Sequence, residues 1–353
     1  MSTTTALPRA NAVPTRRGLL LGGSGRVAGL VAGVVLLVVM LGLSLALGSR
    51  HFPVGTVLDA FLDRAPGNTD HTAILALRVP RTVIGLAVGV ALGLAGAVMQ
   101  GVSRNPLADP GVLGINAGAA LAVLIGVFFF GVTTLIGYVW FAFAGAGAAV
   151  VFVYLIASLG RDGATAVKLA LAGTAVTALL GSLTSLVQLL DVRTMDAFRA
   201  WSVGSLAGRG ADVAAEVWPF IAAGSLLALF TGRTLNTLAL GDDVARSLGQ
   251  NVERARIVCG LAVMVLAGAA TAAAGPVTFL GLTVPHLARA VVGPDYRWIL
   301  PYSAVLAPVL FLAADIVGRL VVAPAELQVG ILTAVLGAPV FVAVVRRKEL
   351  ASL

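Results

Sequence analysis

The sequence predicts an all-α, polytopic integral membrane protein with about ten transmembrane helices. Three observations carry that expectation. Of the 353 residues, 59% are hydrophobic and only 11% charged, whereas roughly a quarter of an average soluble domain is charged. Several runs reach the length of about 20 residues that crosses the hydrocarbon core without one Asp, Glu, Lys or Arg. The 42 glycines would be costly in soluble helices, but small residues let membrane helices approach one another closely.

The first expected span, residues 27–47, follows the basic stretch that holds Arg9, Arg16, Arg17 and Arg26. That start is like a signal peptide, yet the apolar run is as long as a full span and lacks a small-x-small exit, so it reads as a retained helix. Residues 1–26 read as a disordered basic cytoplasmic tail and residues 27–353 as a single transmembrane domain. Spans two to five are expected at 82–101, 112–131, 136–159 and 167–190. The uncharged stretch from Gly111 to Gly160 is too long for one helix and turns between Gly131 and Gly137. Spans six to ten are expected at 217–232, 256–274, 278–293, 299–317 and 327–345. Among them, Ile257 to Ala288 must fold back, and Gly275-Pro276 supplies the break.

Charge gives the orientation. With both termini in the cytoplasm, most of the Lys and Arg fall inside, chiefly in the N-terminal tail, in residues 233–256 and in Arg346, Arg347 and Lys348. An even number of spans agrees with this. The outside still holds Arg50, Arg64, Arg78 and Arg81, all between the first two spans. A net charge of +8 is scattered between spans rather than gathered on one face, which argues against nucleic acid as a partner.

Two connections are long enough to carry small helices. Residues 191–212, outside, read DVRTMDAFRAWSVGSLAGRGAD; residues 233–256, inside, read RTLNTLALGDDVARSLGQNVERAR. The inner one has Leu240, Val244, Ala245 and Leu248 at helical spacing, beginning beside Asp242 and Asp243, and reads as an amphipathic helix under the bundle.

Catalytic chemistry has little to work with. The spans hold no cluster of carboxylates, histidines or cysteines. His51 and His71 lie in an external connection, and His286 beside Pro285 reads as structural. The single cysteine, Cys259, excludes a disulfide within the chain and reads as packing. No GxxxxGK loop followed by Ser or Thr is present, and the only lysines are Lys168 and Lys348. The chain is therefore expected to be no enzyme and to hold no metal or cofactor. If transport is driven by ATP, then ATP and Mg belong to a partner chain, and residues 233–256 are where that chain would push. The alternative is an interfacial helix with no partner.

The order of motifs is more specific. LRVPR (Leu77 to Arg81) leads into GLAVGVALGLAGAVMQGVSRNPLADPGVLGINAGA (Gly85 to Ala119). Then come WSVGSL (Trp201 to Leu206), LNTLALGDDVARSLGQNV (Leu235 to Val252) and AAGPVTFLGLTVPHLAR (Ala273 to Arg289). ADIVGR (Ala314 to Arg319) and AELQVGILTAVLGAPVF (Ala325 to Phe341) close the series. In this order the motifs resemble the FecCD-type permeases of binding-protein-dependent ABC importers, which carry ferric siderophores, haem or cobalamin.

The resemblance implies a type II importer permease of ten spans in the cytoplasmic membrane of a prokaryote. It would pair with a second permease subunit, the same or a related chain, with ATP-binding subunits below and a substrate-binding protein on the external face. By the same resemblance Arg78, Arg81 and Arg319 would form salt bridges to glutamates of the binding protein. A rim arginine can pair bidentately with a carboxylate and fix register; the alternative is an anchor at a helix end. Leu240, Gly241, Asp242, Ala245, Leu248 and Gly249 fall on the family's ATPase-coupling loop, with Gly241 and Gly249 allowing sharp turns.

Trp201, Gly204, Ser205 and Leu206 resemble the segment that lines and gates the external end of the pathway, although Gly204 and Ser205 also suit plain helix packing. RNPLADPGVLG reads as a Pro-broken cytoplasmic connection in which Asp109 caps the next helix. Gln328 stands where many relatives have Pro, a small change at the start of the last span. A ferric siderophore is the expected cargo, being the family's commonest; haem and cobalamin stay open. An ion-coupled secondary transporter would need intramembrane charges or broken helices at the midplane.

Overall fold

The computed structural model describes residues 18–20, 22–65, 67–159, 165–191, 195, 198–199 and 201–346. Most of the basic tail, Arg193 and the final Arg347 and Lys348 lie outside the described residues.

The chain runs through α1 (Gly23–Ala46), the short helices α2 (Val54–Leu62) and α3 (Thr69–Ala73), a π turn (Ile74–Arg78) and α4 (Val79–Ser103). There follow α5 (Ile115–Phe130), α6 (Leu135–Ser158), α7 (Ala166–Leu190) and α8 (Ala211–Phe230). Two short helices, α9 (Gly232–Leu238) and α10 (Asp242–Ser247), precede α11 (Val252–Ala274), α12 (Leu280–Val292), α13 (Tyr296–Val321) and α14 (Val329–Arg346). The ten apolar helices among these match the ten expected spans in order. Seven are long enough to cross a membrane, and α5, α12 and α14 are shorter.

The eighth span, expected at 278–293, is the shortest of the ten. At 13 residues, α12 is about 20 Å long, short of the roughly 30 Å hydrocarbon core. It is reached through a non-helical stretch, residues 275–279. Gly275 has φ 78° and ψ −176°, Pro276 has no N–H to donate, and Phe279 is left-handed at φ 66°. Together these unwind the chain after α11 instead of merely turning it.

α4 is the axis of the bundle: 83% of its most apolar window is buried, against 6% for α1 and 17% for α7. Gly85, Gly89, Gly93 and Gly96 share one face. A Cβ on them would run into Leu312, Pro308, Ala307 and the Gly281 backbone respectively, so α13 and α12 lie directly against the α4 backbone. This is the close approach that the glycine content anticipates. α1 and α7 turn their apolar flanks away from the bundle.

Connections place the remaining polar groups. Asp109 accepts from the Gly111 amide at 2.8 Å and caps a single 3-10 turn (Pro110–Leu113) ahead of α5. The connection before α4 holds α2, which the sequence pattern did not announce; Val57 and Ala60 on it pack with Ala46, Phe52 and Ile74. Asp295 caps α13 through the Arg297 amide and also accepts from Asn236 on α9 at 2.6 Å. The Arg297 guanidinium first, then Asn236, hold the Asp295 carboxyl down to about 2 against the opposing effect of burial. Cys259 lies fully buried in the main core.

Candidate docking rim, gate and coupling element

At the α4 N-terminus the three rim arginines meet. Buried Asp315, 1% exposed, accepts from Arg81 Nη2 at 2.8 Å on one oxygen and from Arg81 Nε at 3.1 Å on the other, and the second oxygen is also ion-paired with Arg319 Nε at 3.1 Å. Arg81 also gives its Nη1 to Glu326 at 2.7 Å. Arg319 is itself only 3% exposed and donates to the Ser44 and Leu47 carbonyls at 3.1 and 2.9 Å. It ties α13 to the end of α1 and presents no bare face to a partner. Arg78 is half-buried, donates to the Leu45 and Arg50 carbonyls, and stacks over Phe52 at 4.2 Å. Arg50 is open, with its side chain 66% exposed and paired to Asp70.

Asp315 and Glu326, which pair with the predicted rim arginines, are not singled out by the sequence alone. A lone acid inside an apolar run, four residues before Arg319, was the available signal, because an intramembrane carboxylate asks for a cationic partner.

The gate segment is knit into two spans by backbone hydrogen bonds. Ser205 N–H donates to the Ala274 carbonyl at 2.7 Å, and Gly330 N–H to the Gly204 carbonyl at 3.0 Å. Gly204, at φ 74°, lies against the Pro276 carbonyl, and Gly275 lies against that of Trp201. Trp201 and Leu206 are 2% and 1% exposed. Trp201 stacks near Phe198, and Leu206 reaches the position of Gly85 on α4. All four predicted gate residues thus sit together, where α11 ends, the chain unwinds and α14 begins.

At the other end of α4 lies the predicted coupling element. Gly241 (φ 103°) and Gly249 (φ 83°) bracket α10 with the sharp turns expected of them. The apolar residues divide: Leu240, Val244 and Leu248 are 60%, 45% and 65% exposed, while Ala245 is fully buried. Ala245 anchors α10 on a small core with Leu238, Val252 and Ala255. It belongs to the inner face of the helix, because its one-carbon side chain is what lets α10 sit down on α9 and α11. Asp242 accepts from Arg104 and from Arg256, each at 2.8 Å.

A bundle of ten apolar helices, clasped by buried ion pairs at one end and carrying a short amphipathic helix at the other, defines a multi-pass membrane transport subunit. The chain belongs to the FecCD transport family, whose family model matches residues 36–347. It is 45% identical to the ferric enterobactin transport system permease protein FepD of Escherichia coli, over 87% of this chain and 91% of that one. With the probable siderophore transport system permease protein YfiZ of Bacillus subtilis it shares 44% identity over 80% of this chain and 84% of the relative. Its fold is similar to that of a metal-chelate type ABC transporter solved in an inward-facing conformation. There the TM-score is 0.80 at 27% identity, covering 91% of this chain and 99% of that one.

Proposed function

We propose that this chain is the membrane-spanning permease subunit of an ATP-driven importer that moves a ferric siderophore across the cytoplasmic membrane of a prokaryote, with both termini inside. The observation that carries this reading is that Val244 on the short helix α10 and Leu240 and Leu248 beside its two ends are bare outside the spans, while Ala245 anchors the helix from behind. Exposed apolar side chains on an element outside the spans suit a docking surface. This surface supports an ATP-binding subunit as its occupant, which brings the ATP and Mg for which this chain has no loop. The cargo follows the two relatives, both named for siderophore transport.

At the outer end, Arg78 and Arg81 are the residues that would receive an external binding protein. The Arg81 Nη1 now given to the partly exposed Glu326 is the one that an incoming carboxylate would reach. Arg319 supports that rim from within, and residues 201–206 serve as the gate. A second permease subunit completes the pathway.

Co-purification with an ATP-hydrolysing subunit, then vesicle uptake of labelled ferric enterobactin, haem and cobalamin, tests the assignment. Uptake of haem or cobalamin alone would remove the siderophore. Changing Leu240→Asp together with Leu248→Asp is expected to lower recovery of the ATP-binding subunit and uptake by about tenfold; full recovery would remove these side chains from the contact. Reversing Arg78→Glu and Arg81→Glu together is expected to weaken capture of the loaded binding protein by about tenfold, mostly through slower association. Unchanged binding in a surface-immobilised assay would take the rim out of docking.

A further inference from the structure

We propose that Asp242 is a mechanical joint, tying the coupling helix to two long spans, and not a contact for the ATP-binding subunit. The inference rests on the ATP-driven reading above. Both carboxylate oxygens are occupied within the chain: Oδ1 accepts from Arg104 Nη2 and Oδ2 from Arg256 Nη2, each at 2.8 Å. Arg104 is the residue on which α4 ends, and Arg256 lies in the second turn of α11. One side chain of α10 therefore holds the inner ends of two spans.

The backbone is shaped around this joint. Arg104 is left-handed, at φ 51° and ψ 33°, a position at helix C-termini that normally falls to Gly or Asn. Gly241, at φ 103°, turns the chain immediately before Asp242. The neighbouring Asp243 differs in every respect, being fully exposed and paired only with Arg246 on its own helix.

The spans lead to the other two sites. α11 has 23 residues, about 35 Å, and ends at Ala274, whose carbonyl receives the gate amide of Ser205. α4, with 25 residues and about 38 Å long, carries Arg81 and the rim at its far end. A displacement of α10 is delivered to gate and rim together, because packed helices move as bodies. Apart from this joint, α10 is held by the small apolar cluster around Ala245. The joint's side chains are 38%, 24% and 23% exposed, and pairs so placed contribute little to stability. Its contribution is to position.

The test uses the complete transporter in vesicles, with a reporter cysteine at Ser205→Cys and the ATP-dependent change in its thiol-labelling rate as the readout. The chain's own Cys259 is buried and leaves a low background. Asp242→Asn is expected to keep the ATP-binding subunits bound and hydrolysing while the ATP-dependent labelling change falls by about tenfold. Asp243→Asn is expected to leave all three quantities as they were. Combining Asp242→Arg with Arg104→Asp and Arg256→Asp is expected to restore the labelling change. A full labelling change in Asp242→Asn overturns the joint, and so does loss of the ATP-binding subunits from that variant, which would make Asp242 a contact. Failure of the unmodified chain to recruit those subunits instead removes the ATP-driven reading itself.

Discussion

Asp315→Ala is expected to destabilise the folded chain by about 3–5 kcal/mol, the usual consequence of removing one partner from a buried ion pair. Asp315 is 1% exposed and Arg319 3%, and the carboxylate also holds Arg81. After the change Arg81 keeps Glu326. Arg319 keeps only the Ser44 hydroxyl and neutral carbonyls, among them those of Ser44 and Leu47. A buried guanidinium is left without its adjacent negative charge, and desolvation is no longer offset. Asp315→Leu combined with Arg319→Met removes both charges and should recover most of the loss, since a buried pair is often replaceable by apolar residues of similar volume. Thermal unfolding in detergent would measure both. A single variant as stable as the double one would contradict the clasp.

Gly275→Val is expected to abolish transport and to lower the unfolding temperature markedly. Two independent effects act at this position. Its φ of 78° with ψ near 180° belongs to a region open essentially to Gly alone, with a cost of about 1–3 kcal/mol for other residues. A Cβ would also overlap the Trp201 carbonyl, so the gate segment would have to leave the end of α11. Gly260 is the control: it lies in the middle of α11 with nothing within 4 Å of a Cβ. Gly260→Ala should therefore gain helix propensity, about 1 kcal/mol at most. Uptake at the unmodified rate in Gly275→Val would show that the α11 break can open without harm.

The ten spans were legible because charge is so unwelcome in hydrocarbon that its absence alone marks each helix. The same signal could not say that residues 275–279 are unwound, since an extended stretch and a helix are equally charge-free; Gly275-Pro276 announced a break and not its length. The short helix under the bundle was legible from spacing, although spacing alone places Ala245 with Leu240 and Leu248. A single helix through them would gather all three on one side, but the turn at Gly241 takes Leu240 out of that register and the packing partners Leu238 and Val252 hold Ala245 inside.

The rim was half legible. Arg78 and Arg81 broke the expected charge asymmetry, whereas Asp315 lies 234 residues from Arg81 in the chain, and nothing local discloses such a pairing. α2 escaped notice because its nine residues are too few to span a membrane and lie within a connection between spans.

The two ends of α4 share a design, a carboxylate held between two arginines, but they differ in wetness. At the rim Asp315 and Arg319 are almost dry, while around Asp242 every partner touches water. Mobile ions screen exposed charges over about 10 Å at 0.1 M and about 3 Å at 1 M, and reach buried ones far less. Rising ionic strength would therefore slacken the inner attachment of α4 and leave the outer one taut. One helix, fastened twice in the same way, answers to salt at only one end.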